Sequence, residues 1–100
     1  MRYLGGISGT GMLSCKGVEI ARASYDFEGY SRKTGDVTGS GEIKLDASSL
    51  QALFGRSDVR LHTDDGIVFD LKFSDKTLRE PGVAHVDLTG DLPPARVWRR

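Results

Sequence analysis

Apolar and polar side chains alternate with a period of two along nearly the whole chain, and the helical period of 3.6 shows only once. That pattern predicts a mainly β protein with one short helix. Residues 3–14 form the first expected strand, and Gly5, Gly6, Gly9 and Gly11 within it permit a bulge or a sharp bend. Lys16-Gly17 reads as a turn. Over residues 18–30 the apolar set moves from even positions (Val18, Ile20) to odd ones (Ala21, Ala23, Tyr25, Phe27), which implies one inserted residue near Ile20. Residues 31–35 make a polar, basic turn. In the third expected strand, residues 36–45, Val37, Gly39, Gly41, Ile43 and Leu45 share a face. Large side chains such as Tyr25 and Phe27 are expected to lie over its glycines.

Asp46 is a suitable N-cap for a helix over residues 47–54, because its carboxylate can accept orphan amides of the first turn; Gly55 is placed to end it. Leu50, Leu53 and Phe54 fall on one side of that stub, which is too short to be stable alone and is expected to close one end of the sheet. Residues 58–63 and 67–74 flank Asp64-Asp65-Gly66. A three-residue loop with Gly66 in the left-handed region keeps Val59 and Leu61 on the same face as Phe69 and Leu71. In that register Leu61 faces Phe69 and Val59 faces Leu71, while the solvent face sets Arg60 opposite Asp70 and Asp58 opposite Lys72.

Residues 75–82 read as a longer loop ending in Pro81-Gly82, and residues 83–92 as the last strand, with Ala84, Val86, Leu88 and Leu92 inward. The fold class expected is a small antiparallel six-stranded barrel-like sheet with one short helix between strands 3 and 4. Residues 1–92 form a single domain, followed by a basic, aromatic tail over 93–100. Over residues 3–74 the element order is similar to that of the OB-fold, which also carries a helix between its third and fourth strands and a first strand bent by glycine or a bulge. That resemblance implies single-stranded nucleic-acid binding as one candidate function. The extra C-terminal strand departs from the simplest version of the fold.

Composition narrows the choice of function. Among 100 residues, 14 Lys and Arg balance 14 Asp and Glu, and each half of the chain is balanced too, which argues against a broad electrostatic footprint for nucleic acid. Only the tail departs, where Arg96, Arg99 and Arg100 flank Val97 and Trp98. The single Cys fits a reducing compartment or a fold that needs no disulfide. Glycines break every apolar run near the start, so neither an export signal nor a lipidation signal at Cys15 is expected, and no window approaches a membrane span. The cytoplasm is the expected location.

Candidate chemistry is sparse. His62, Asp64, His85 and Asp87 repeat a His-x-Asp pattern that could hold a divalent metal, as in a small metal-dependent enzyme; yet both His positions fall on the expected solvent face. Cys15 beside Lys16 could favour a thiolate, although its alignment with Leu13 reads as a small buried hydrophobe. No Gly-x-Ser-x-Gly elbow is present, the early glycines are followed by a strand rather than a helix, and Asp64-Asp65-Gly66 lacks the spacing of a calcium loop. Arg2, Tyr3, Arg22, Tyr30, Arg32 and Lys33 would supply parts of a stacking, basic surface, as would Trp98 with its arginines. The expected function is therefore a non-enzymatic binding or protein-interaction module without a cofactor. Its contact residues lie in the turn, the long loop and the tail: Arg32, Lys33, Arg96, Trp98 and Arg99. Edge strands of an incompletely closed sheet would also permit self-association.

Overall fold

The computed structural model describes residues 1–98; Arg99 of the expected contact set, and Arg100, lie outside the described residues. Six strands follow the alternation: β1 (Arg2–Cys15), β2 (Val18–Ser31), β3 (Val37–Lys44), β4 (Val59–Thr63), β5 (Val68–Phe73) and β6 (Val83–Thr89). Helix α1 (Ala47–Leu53) lies between β3 and β4, and a 3₁₀ turn spans Ala95–Trp98. The strands close into a barrel in the order β1-β2-β3-β6-β5-β4, and every pairing is antiparallel. The element order behind the OB-fold resemblance is present, but six strands close this barrel, where the OB-fold has five and is partly open.

Both expected irregularities occur in the β1–β2 ribbon. Tyr3 pairs with Tyr30 and Gly5 with Gly29, which leaves Leu4 as the inserted residue. Leu13 pairs with Ala21 and Ser14 with Glu19, so Ile20 is the extra residue of β2. Beyond that bulge the odd positions Ala23, Tyr25 and Phe27 are buried, whereas Val18 and Ile20 are exposed. The β4–β5 register is the one expected on hydrophobic grounds, with Leu61 opposite Phe69 and Arg60 opposite Asp70.

One expected ion pair is corrected. β4 begins at Val59, so Asp58 lies before the strand, where it accepts from Arg56 Nε at 3.1 Å and from Nη2 at 3.0 Å. Lys72 stands opposite Asp87 of β6. The guanidinium two residues away reaches the carboxylate without the cost of extending the hairpin.

Asp46 caps α1, accepting the Ser49 amide at 3.0 Å and the Ser48 hydroxyl at 2.6 Å. Leu50 and Leu53 are buried in the core, while Phe54, just past the helix, is half-buried against Phe73, with ring centroids 5.1 Å apart. Gly55, at φ 86°, turns the chain away.

The expected surface position of Trp98 is also corrected. Its side chain is 0% exposed and sits inside the barrel, with Nε1 donating to the Pro93 carbonyl at 3.1 Å. The cause is a gap in the wall. A Cβ on Gly29 would collide with the indole, and one on Gly39 would lie 3.0 Å from Trp98 Cη2 and 2.7 Å from Leu88. β1 pairs with β4 only through Gly11–Cys15, and where β1 runs past β4 the 3₁₀ turn packs on β1 and β2. Residues 93–98 thus join the barrel's packing. Phe27 lies over Gly41 as expected, at 2.8 Å from Cα to the position of an added Cβ, while Tyr25 lies over Gly9.

Candidate functional site

The barrel interior is filled by Trp98, Phe27, Phe69, Leu61 and their neighbours, and among the described residues no buried side-chain nitrogen or oxygen lacks a hydrogen-bond partner. Polar chemistry is therefore on the outer wall. Strand register gathers it there: Ser14 of β1 is opposite Arg60 of β4, Arg60 opposite Asp70 of β5, and Asp70 opposite Thr89 of β6. These four alternate with the core residues Leu13, Leu61, Leu71 and Leu88, so they face outward together. The Lys16-Gly17 turn and the loop residues Ser57 and Asp58 complete an open groove of about 530 Å³.

Each carboxylate of the groove has a cationic partner. Arg60 Nε donates to Asp70 Oδ1 at 2.8 Å, and Asp58 is held by Arg56 and by the Cys15 thiol, whose Sγ donates at 3.2 Å. Hydrogen bonds from Arg56 first, then from Cys15, hold the Asp58 carboxyl well below the usual carboxylate range. The cations retain capacity. Arg60 uses only Nε in its pair, and Lys16 enters no ion pair or hydrogen bond among the described residues.

Lys16 is also held in an unusual backbone state. It is the one described residue other than glycine with positive φ, at 52°, and Gly17 follows at 81°. Two positive φ values in a two-residue hairpin loop mark a type I′ turn, whose first position ordinarily takes Asn, Asp or Gly. A lysine there costs about 1–2 kcal/mol of Cβ crowding.

Beside the groove, Ser14 Oγ and His62 Nε2 lie 3.1 Å apart. Ser14 is only 5% exposed, and no carboxylate hydrogen-bonds His62 among the described residues, so the pair lacks the third member that orients a catalytic imidazole. His85 of β6 faces Glu42 of β3 at 3.3 Å and is separated from His62 by β5. Among the described residues no three His, Cys, Asp or Glu side chains gather around a point where a metal could sit, and Asp87 pairs in register with Ser40 and Lys72. Cys15 is buried in the core cluster.

Arg32 and Lys33 are exposed in the β2–β3 turn, which is closed by the Arg32 amide donating to the Asp36 carbonyl at 2.8 Å. Arg2, Tyr3 and Tyr30 share that end of the ribbon, the two rings 5.5 Å apart, and the Tyr3 hydroxyl donates to Glu28. Arg22 is not part of this group. It bridges to Asp64 at 2.6 Å, and its guanidinium, followed by the Thr10 hydroxyl, lowers that carboxyl's pKa. Arg96 is exposed on the 3₁₀ turn. Of the contact residues expected from sequence, Arg32, Lys33, Arg96 and Trp98 do not line the groove. The signal that would have found it is Lys16-Gly17, where turn chemistry asks for Asn-Gly.

No helix among the described residues is long and apolar enough to cross a membrane. Compared with known protein families, curated proteins and solved structures, the chain matches none.

Proposed function

We propose that this chain is a non-enzymatic protein-interaction module that meets its partner on the outer wall, in the groove between the Lys16-Gly17 turn and Thr89. The observation that carries this reading is the contrast between a filled, fully hydrogen-bonded interior and an open external groove of about 530 Å³. Small-molecule sites are usually enclosed and mostly apolar. This groove is open, and eight of its nine lining residues are polar or glycine. Such a surface suits an extended polypeptide, whose backbone and side chains offer hydrogen bonds along a length, better than a compact apolar ligand.

The test is a selection from displayed random peptides on the immobilised full chain, followed by affinity measurement on Thr89→Trp. Thr89 is exposed, so an indole there blocks the groove without entering the core. Selected peptides are expected to lose at least about tenfold in affinity on the variant while its melting temperature stays unchanged. Peptides that bind both proteins equally would move recognition off this groove. A selection that yields no binder overturns the reading.

A further inference from the structure

We infer that the groove recognises an acidic peptide segment, whose carboxylates are held by Lys16 and Arg60. This rests on the groove being the recognition surface and adds the chemistry of what occupies it. Two independent observations lead there.

The first is which polar groups are still available. Both oxygens of Asp58 are bonded, by Arg56 and Cys15, and Asp70 is paired through Oδ1 with Arg60, so each acid of the groove already has a cation beside it. The open donors are the Lys16 ammonium and the Arg60 Nη groups, beside the Ser57 hydroxyl; the Thr89 hydroxyl donates to the Asp70 carbonyl at 3.4 Å. Two cations, Lys16 and Arg60, and two carboxylates, Asp58 and Asp70, line the groove, and Arg56 from outside the lining neutralises Asp58, which leaves the Lys16 charge without an internal counter-ion among the described residues. Glu19 lies across β1 from Arg60, opposite Ser14, and does not line the groove. An incoming carboxylate thus meets donors that have no other partner, and Arg60 can offer it two parallel N–H groups while Nε stays on Asp70.

The second is the backbone at Lys16. Left-handed geometry disfavours a lysine at this turn position, and nothing in the fold repays it: the side chain is exposed and makes no internal bond among the described residues. Strain that packing does not explain points to use, and the turn holds this ammonium over the groove. A residue chosen for stability at this place would be Asn or Gly.

The experiment uses the ¹⁵N-labelled full chain and three blocked hexapeptides: hexaglutamate, hexalysine and a Gly-Ser repeat. Amide shifts of Lys16, Gly17, Arg60 and Thr89 are expected to move with hexaglutamate alone, and binding is expected to weaken between about 20 and 200 mM salt. Lys16→Asn is expected to weaken hexaglutamate at least about tenfold while melting several degrees higher, whereas Lys16→Arg keeps the affinity. A loss of binding in a more stable protein is a signature that mere structural damage does not produce.

Movement of the same amides with hexalysine or the Gly-Ser peptide, and not with hexaglutamate, would overturn the carboxylate assignment and leave the groove as a peptide site. Equal hexaglutamate affinity in wild type and Lys16→Asn would overturn the role of Lys16, and with it the inference. No movement with any of the three peptides overturns the inference as well. The display selection on Thr89→Trp then decides separately whether the groove binds other sequences.

Discussion

The indole of Trp98 occupies space that exists only because Gly29 and Gly39 carry no Cβ, and its Nε1 proton is satisfied by Pro93. Trp98→Ala is expected to destabilise the chain by about 3–5 kcal/mol, the range for emptying a buried aromatic site, as measured by denaturant unfolding. A loss within about 1 kcal/mol would mean that the barrel is closed without it. Charge at single residues sets a second expectation. Asp46, Asp58 and Asp64 are all held below the ordinary carboxylate pKa, by Ser48 and Ser49, by Arg56 and Cys15, and by Arg22 and Thr10 respectively. A depressed folded pKa contributes stability above the unfolded value near 4, and that contribution is lost as pH falls towards the folded value. Unfolding midpoints should therefore fall between about pH 6 and pH 3, and Asp58→Asn should flatten the fall; a midpoint that rose on acidification would contradict these assignments. At this scale the sequence was only partly readable. The burial of Leu61 and Phe69 followed from alternation, but a lone Trp in a short tail has no period, and the glycines that receive it are on β2 and β3.

At the scale of elements, turn and cap chemistry was legible because it is local. Asp46 accepting the Ser49 amide, Gly66 at φ 95° in the β4–β5 loop and the bulge at Ile20 each depend on a few neighbouring residues. Helix α1 has seven residues, too few to persist without its cap and the two leucines beneath it. Asp46→Ala should therefore lower the melting temperature by a few degrees, and Asp46→Asn should retain most of it, since Asn caps equally well. An alanine variant that melts with the wild type would mean that Leu50 and Leu53 hold the helix unaided. The groove was not legible at this scale. Arg60 opposite Asp70 came from the hairpin, but adding Ser14 on one side and Thr89 on the other requires β1–β4 and β5–β6 pairings between segments far apart in the chain.

Across the whole molecule, the strand order β1-β2-β3-β6-β5-β4 consists of two three-stranded meanders, one before α1 and one after it. They meet along two seams, Gly11–Cys15 with Val59–Thr63 and Gly39–Lys44 with Val83–Leu88. Only the helical link joins them covalently. Alternation within each meander announced six strands and a barrel, whereas the choice of which outer strands would meet was left to the shapes of the two sheets. A chain severed between Gly55 and Arg56 should accordingly yield two fragments that recombine on mixing. The indole belongs to the later fragment yet docks beneath glycines of the earlier one, so its emission should shift to the blue as the halves associate. Fragments that stay apart at micromolar concentration would show that the link does more than connect. The architecture is that of two half-shells stitched along two edges and plugged by one indole, and the same economy would let two chains trade halves whenever the link straightens.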